Sequence, residues 1–134
     1  MIKTKELTLG NWVYAGAKTQ FPMQVVGVFD NVAYLDFEGN ESDMWEEKEE
    51  EILPIPLTEE ILLKNGFIKK VDPVSEYYNS PDGKVFVRFK KEISVHIAST
   101  SSVRARVSAD KVIKYVHEFQ NVLNLAKIDI DFKI

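Results

Sequence analysis

The chain has 134 residues, a net charge of −4, 45% hydrophobic and 28% charged residues, and no cysteine. This length fits one domain or two very small ones, and it is sufficient for a buried core. Without cysteine the chain has no disulfide, thiol nucleophile or thiolate metal site, which fits a reducing cytosol. The first residues contain no long apolar stretch, so no signal peptide is expected. No apolar run reaches the roughly 18 residues that a membrane helix needs.

The charge is divided unevenly along the chain. Residues 1–60 hold 4 basic and 13 acidic residues, a net charge of −9, whereas residues 61–134 hold 13 basic and 8 acidic residues, a net charge of +5. Such an asymmetry indicates either two halves with different partners or two halves that attract each other electrostatically.

The first 56 residues have the pattern of short strands separated by turns. The expected strands are 12–14, 24–29 and 32–37, with a fourth at 42–45. Short, closely spaced strands are typical of a small β-barrel. The Gly10-Asn11-Trp12-Val13 sequence at the start of the first strand favours an SH3-like barrel.

The strongest run of charge is residues 46–51, with five glutamates and one lysine. Such a run is expected in a solvated loop or in an edge strand, where it discourages pairing with other chains. The alternative is a docking strip for a basic partner. On that alternative, the candidate protein-binding residues are Glu46, Glu47, Glu49 and Glu50.

Residues 57–67 contain the signals of a complete short helix. Thr58 is the expected N-cap, and Gly66 is the expected left-handed residue after the last turn. Leu57 and Phe67 have the spacing to fold back on Leu62, one from each end. We therefore expect this helix to connect the barrel to the second half of the chain.

Alternating apolar residues predict an antiparallel sheet in the second half. The expected strands are 77–79, 85–90, 93–98 and 103–107, and the sequence Ser80-Pro81-Asp82-Gly83 predicts a turn between the first two. One face of this sheet is aliphatic, and the other is basic and partly aromatic. Single-stranded nucleic acid binds to positive surfaces that carry stacking aromatic rings. The candidate nucleic-acid-binding residues are Phe86, Arg88, Lys90, His96, Arg104 and Arg106.

A long helix and a final strand are expected at the C-terminal end. Ser108 is the expected N-cap of a helix at 109–125. Its core-facing stripe contains Val112, Val116, Phe119, Leu123 and Ala126. Residues 128–134 alternate between apolar and polar side chains, which predicts a strand with one buried face.

The opposite face of that helix is polar but mostly uncharged. Its residues are His117, Gln120, Asn121 and Asn124, at steps that bring them onto one side. Three interpretations stay open: an exposed face of chance composition, groups that satisfy backbone atoms of the barrel, or a site for a ligand or partner. On the third, these four residues join the glutamates as candidate protein-binding residues.

No pattern in the sequence points to catalysis. The two histidines, His96 and His117, have no second ligand at metal-binding spacing. No phosphate-binding loop or nucleophile elbow is present, and the pair Asp129 and Asp131 is typical of a solvent edge. We therefore expect no catalytic residue, no metal ligand, no cofactor and no enzymatic activity.

Three stretches together resemble a family of small uncharacterised proteins from gut Bacteroidales and their phages and prophages. The stretches are LTLGNWV at 7–13, PIPLTEEILLKNGF at 54–67 and VHEFQN at 116–121. Family members commonly have leucine where this chain has Phe119, and the run after Asn121 is less aromatic here. The resemblance implies a mobile-element setting and a location in the bacterial host cytosol, and it implies no catalytic residues.

These observations predict an α+β fold. Residues 1–56 are expected to form a small SH3-like β-barrel, and residues 57–134 a short helix, an antiparallel sheet packed by one long helix, and a C-terminal strand. We expect the two parts to pack as one compact unit. The expected function is that of a phage or prophage accessory protein that binds another protein. The alternative is a nucleic-acid-binding accessory protein that uses the basic sheet face; no membrane association is expected, and homo-oligomerisation stays open.

Overall fold

The computed structural model describes residues 1–16, 20–73, 76–97 and 107–134, with the backbone alone for 107–111. The described residues form two antiparallel five-stranded sheets and two α-helices. The chain divides into two compact units. The first contains Met1–Pro56 and Tyr115–Asn121, and the second contains Leu57–Lys114 and Val122–Ile134. One division lies after Pro56, and residues 115–121 of the C-terminal part group with the first unit.

The sheet of the first unit curls into a half-barrel. Its strands are β1 (Trp12–Ala15), β2 (Phe21–Val28), β3 (Val32–Asp36), β4 (Trp45–Lys48) and β5 (Ile52–Leu53), in the order β4-β3-β2-β1-β5. The first three strands confirm the sequence prediction. The fourth lies at Trp45–Lys48, largely beyond the expected 42–45, and β5 was not predicted. β4 and β5 are the two edges of this sheet.

Alternation along these strands builds the core of the first unit. In β1 and β3 every second side chain is buried, because successive residues of a strand point to opposite faces. The buried cluster contains Ile2, Leu7, Val13, Ala15, Met23, Val25, Ala33, Leu35 and Ile52. The N-terminal segment belongs to this core, and the Ile2 amide donates to the Ile52 carbonyl oxygen at 3.0 Å.

The predicted short helix is confirmed as α1 (Glu59–Lys64) with both caps. The Thr58 hydroxyl accepts a hydrogen bond from the Ile61 amide at 3.3 Å. At the other end Gly66 has a φ of +83°, and the Phe67 amide donates to the Leu62 carbonyl oxygen at 3.0 Å. This is the Schellman pattern, in which a left-handed glycine lets the chain satisfy the last carbonyls of the helix.

The sheet of the second unit is also antiparallel throughout. Its strands are β6 (Ile68–Val71), β7 (Glu76–Asn79), β8 (Val85–Phe89), β9 (Ile93–Ile97) and β10 (Val107–Ile113), in the order β10-β9-β8-β7-β6. The turn between β7 and β8 is confirmed, since the Ser80 amide donates to the Val85 carbonyl oxygen at 2.8 Å. Val85, Val87 and Val95 are fully buried, as the alternation predicted. β6 was not predicted.

The C-terminal helix is shorter than expected. Helix α2 spans Val116–Leu125, whereas residues 109–113, expected to begin the helix after a Ser108 cap, belong to β10 (Val107–Ile113). The predicted inward position of Val112 is wrong, because this side chain is 46% exposed. The β-branched residues Val107, Val112 and Ile113 fit a pleated strand better than a helix. The later part of the stripe is confirmed, since Val116, Phe119 and Leu123 are buried. Residues 103–106 of the predicted fourth strand lie outside the described residues.

The predicted C-terminal strand does not form. Ile128 and Phe132 are buried and Lys133 is exposed, so the alternation of side chains is present without strand pairing. The Asn65 side chain forms the two backbone hydrogen bonds with Lys133 that a neighbouring strand would otherwise form. Its Nδ2 donates to the Lys133 carbonyl oxygen at 2.7 Å, and its Oδ1 accepts from the Lys133 amide at 2.6 Å. An amide side chain offers the same donor and acceptor as a peptide group.

Candidate nucleic-acid interface

Two residues of the polar helix face bind the first unit's N-terminal turn. Asn121 Nδ2 donates to the Glu6 carbonyl oxygen at 2.9 Å. Asn121 Oδ1 accepts from Thr8 Oγ1 at 2.8 Å and from Asn11 Nδ2 at 3.0 Å. Asn121 therefore uses its donor and its acceptor on a segment more than 100 residues away in the sequence.

Gln120 continues this set of contacts. Its Oε1 accepts from the Trp12 amide at 2.8 Å, and its Nε2 donates to the Gly10 carbonyl oxygen at 3.0 Å. Asn11 is fully buried, and its Oδ1 accepts from the Thr8 amide at 2.9 Å. We call Thr8, Asn11, Gln120 and Asn121 the amide cluster. It joins residues 8–12 to residues 120–121.

The remaining members of the helix face divide between the surface and the interior. Asn124 is exposed. His117 is only 4% exposed, its ring stacks on Tyr115 at 6.0 Å, and its Nδ1 has no hydrogen-bond partner among the described residues. Burial lowers the pKa of His117, with smaller opposing effects of the Glu118 and Glu6 carboxylates. The second of the three interpretations, internal contacts to the barrel, thus describes Gln120 and Asn121; a role of these four residues in binding a partner stays a prediction.

The acidic residues 46–51 lie partly in an edge strand and partly in a short 3₁₀ turn, Glu49–Glu51. Glu46 and Glu50 are exposed, whereas Glu49 is buried. Glu49 Oε2 accepts from the Thr4 amide at 2.7 Å and from the Thr4 hydroxyl at 3.4 Å. Glu49 therefore holds the N-terminal segment in place. Partial burial raises the pKa of Glu47, and the nearby charge of Glu51 adds to this shift.

The outward face of the second sheet carries two parallel rows of side chains. Strand pairing places Phe86 beside His96 and Arg88 beside Ser94, on the face opposite the buried valines. One row contains Ile68, Asn79, Phe86 and His96, and the other contains Lys70, Tyr77, Arg88, Ser94 and Val112. We call these residues the sheet face.

Aromatic rings occupy the middle of the sheet face. The rings of Phe86 and His96 stack with centroids 4.8 Å apart and an interplanar angle of 12°. Tyr77 meets Phe86 in an edge-on contact at 5.7 Å. The Arg88 guanidinium lies 5.4 Å from the centroid of Tyr77 and 5.7 Å from that of Phe86. Such cation–π contacts fix a guanidinium against rings at modest energy.

The charge of the sheet face is positive. Lys70 and Arg88 belong to it, and the exposed Lys90 follows directly after β8 with the same alternation. By the same alternation, the exposed Glu92 directly before β9 lies opposite Lys90, and Asp72 follows Lys70 directly after β6, so two carboxylates stand at the rim of this face. Two further predicted cations, Arg104 and Arg106, lie outside the described residues. Sequence alternation therefore identified Phe86, Arg88 and His96 as neighbours.

The sequence prediction missed five members of the sheet face, namely Ile68, Lys70, Tyr77, Asn79 and Val112, of which Lys70 and Tyr77 belong to the candidate site. Tyr77 was predicted to lie in a strand, but the side of the sheet to which it points was not predicted. Lys70 was not predicted to lie in a strand. A signal for Tyr77 was present, because a tight turn at 80–83 fixes the register of the strands on either side. That register brings Tyr77 opposite Arg88 and, through β6, beside Lys70. No comparable local signal marks β6.

Other potential sites are weaker. An open cleft of about 590 Å³ in the first unit is lined by Lys3, Thr4, Lys5, Val28, Phe29, Asp30, Asn31 and Glu49. Glu49 is the buried carboxylate of this cleft, and its hydrogen bonds with Thr4 hold the N-terminal segment. Among the described residues, no group of three histidine, cysteine or carboxylate side chains is arranged to hold a metal ion. None of the helices in the described part of the chain has the length and apolar character needed to cross a membrane.

Comparisons with known proteins do not indicate a function, so the function has to be inferred from the geometry described above. No family model, no curated protein and no solved structure matches the chain.

Proposed function

We propose that this protein is a non-enzymatic accessory protein that binds nucleic acid through the sheet face. One observation carries the proposal: three rings and two cations are gathered on the outward, partly exposed face of one sheet, with Arg88 positioned against two of the rings. Rings and guanidinium groups are the side chains that contact bases and phosphates together.

The distribution of charge supports the same conclusion. The chain as a whole has a net charge of −4, so its overall field repels a polyanion. Attraction has to come from a local surface on which cations outnumber carboxylates. Lys70, Arg88 and Lys90 outnumber the rim residues Asp72 and Glu92 on the sheet face, whereas the edge at β4 is acidic. Phosphate contacts by Lys70, Arg88 and Lys90 would supply affinity that falls as salt is added.

The chain offers a matched pair of variants for testing this proposal. Lys69 and Lys70 are neighbours on β6, but Lys70 pairs with Tyr77 on the sheet face, whereas Lys69 pairs with the buried Tyr78 and forms an ion pair with Glu76 at 3.3 Å. We expect fluorescence anisotropy at low salt to report binding of labelled oligonucleotides. Lys70→Ala should weaken this binding and reduce the salt slope by about 0.7. Lys69→Ala should leave both quantities unchanged.

Two results would refute the proposal. One is the absence of binding to any oligonucleotide at low salt, where phosphate contacts are strongest. The other is equal weakening by Lys69→Ala and Lys70→Ala, which would place the interaction elsewhere. Both variants should remain folded, because exposed substitutions of this kind change the free energy of unfolding by less than about 0.5 kcal/mol.

A second candidate function is the binding of a basic protein at the acidic edge strand. The observation that favours it is that β4 is an edge of its sheet and carries exposed Glu46, with exposed Glu50 following it. A sheet edge offers unpaired backbone groups to an added strand. Affinity capture after nuclease treatment tests this alternative. Retention of a protein by the wild type and its loss in Glu46→Gln/Glu50→Gln would favour the edge over the sheet face.

The biological setting is part of the proposal. We propose that the half-barrel of the first unit is a small SH3-like barrel, and that the protein acts in the cytosol of a bacterial host. The resemblance to proteins of Bacteroidales and their phages supports a mobile-element setting. Purification of the protein from such a host, with its oligomeric state measured by light scattering, tests both the setting and homo-oligomerisation.

A further inference from the structure

We propose that the nucleic acid bound by the sheet face is single-stranded, and that its unpaired bases stack on the rings of Phe86 and His96. This inference rests on the proposed function and adds the class of ligand to it. The steps below depend on the width of the sheet, the arrangement of the rings and the position of Arg88.

The width of the sheet disfavours readout of an undistorted duplex. Neighbouring strands lie about 4.8 Å apart, so five strands span about 19 Å. The major groove of B-form DNA is about 12 Å wide and admits a helix or a two-stranded ribbon. A flat five-stranded face does not fit into this groove, and we expect its contacts with an undistorted duplex to be mainly with phosphates.

The rings of the sheet face suit bases that are not paired. In a duplex both faces of each base are covered by neighbouring bases, whereas an unpaired base exposes a face to an aromatic side chain. Phe86 and His96 are already parallel to within 12° at 4.8 Å. A third planar ring would extend this stack from an outer face of the pair, because the inner faces of the two rings cover each other across β8 and β9.

Arg88 connects the stacking surface to the phosphates. Its guanidinium lies against Tyr77 and Phe86, and its strand partner is Ser94. A guanidinium in this position can stack on a ring with its plane and donate to a phosphate with its edge. The adjacent Lys70 adds a second positive charge in the same row.

The test compares a single-stranded oligonucleotide with its own duplex at one salt concentration. We expect the wild type to bind the single strand at least about tenfold more tightly. Phe86→Leu removes the ring but keeps an apolar side chain, and it should weaken single-strand binding by at least about fivefold. Binding to the duplex should change little. Phe29→Leu is the control, because Phe29 is an exposed ring in the first unit.

If circular dichroism shows that Phe86→Leu is unfolded, a second variant replaces it in the test. His96→Gln removes the stacked ring at a partly exposed position, and it should reduce single-strand binding selectively in the same way. Equal binding of duplex and single strand would overturn the inference, as would equal losses for both ligands in the ring variants. In either case the sheet face would be a phosphate-binding surface, and the proposed function would stand. Absence of binding to both ligands would refute the proposed function itself.

Discussion

The polar face of helix α2 and the outward face of the second sheet look alike in the sequence and differ in the structure. Both are sets of polar side chains that recur at the period of their element. On the helix, Gln120 and Asn121 form hydrogen bonds with the backbone and side chains of the N-terminal turn. On the sheet, the ring of Phe86 contacts the rings of Tyr77 and His96.

The difference follows from the chemistry of the side chains. An amide has a donor and an acceptor side by side and therefore matches a peptide group. Aromatic rings and guanidinium groups have no such match, but they stack on planar groups and bind anions. The amide-rich helix face thus makes internal contacts, whereas we propose that the mixed aromatic and cationic sheet face binds a ligand.

The largest expected effect is on the internal side of this comparison. We expect Asn121→Ala to lower the free energy of unfolding by about 2 to 3 kcal/mol, because it leaves Asn11 Nδ2 without this acceptor in a buried position and removes the bond to the Glu6 carbonyl oxygen. Urea denaturation measures this quantity.

Asn124→Ala is the matched control for that measurement. Asn124 lies one turn further along the same helix and is exposed, so its replacement should change the free energy of unfolding by less than about 0.5 kcal/mol. Both variants introduce the same change in helix propensity. Equal values for the two variants would mean that the amide cluster does not stabilise the fold.

A pH effect of intermediate size is expected from His117. Burial lowers its pKa below the ordinary value of 6.5, so the unfolded chain binds a proton that the folded chain does not. Stability is therefore complete above about pH 6.5 and falls as the pH drops toward the folded-state pKa, by no more than about 1.4 kcal/mol per pH unit. His117→Gln should have a flatter profile between pH 7.5 and 5.5 in urea denaturation. Parallel profiles would contradict this account.

The smallest effect is expected at Asn65, whose side chain also replaces a peptide group but at the surface. Asn65→Ala removes the two bonds to Lys133 and should cost about 1 kcal/mol. Amide hydrogen exchange at Lys133 should accelerate in the variant, while exchange at the β8 amides should not change. Unchanged exchange at Lys133 would show that other contacts hold the C-terminal segment.

The parts of the fold that depend on neighbouring residues could be predicted from the sequence. Helix α1 is determined by Thr58, Gly66 and the apolar residues between them, and the β7–β8 turn by residues 80–83. The start of α2 could not be predicted, because Val112 fits the helical stripe as well as a strand. Pairing with β9, which is a tertiary contact, decides for the strand. The prediction of a strand at residues 128–134 was wrong for the same reason. The alternation of apolar side chains shows which of them are buried, but it does not show whether the backbone pairs with another strand.

The candidate site was predictable to the same extent. Alternation within β8 and β9 brings Phe86, Arg88 and His96 onto one face, and this much was foreseen. The partners of Gln120 and Asn121 were not foreseeable individually, because they lie about 110 residues away. The spacing of these amides indicated a shared face, and the structure supplied the contacts of that face.

Amide NMR spectra of the labelled 15.4 kDa protein, recorded during titration with a single-stranded oligonucleotide, test the central claim most directly. We predict that the shifted signals belong to Tyr77, Phe86, Arg88 and His96, and that those of Asn11, Gln120 and Asn121 stay in place. Shifts confined to the amide cluster or to residues 46–51, with the sheet face unaffected, would contradict the account.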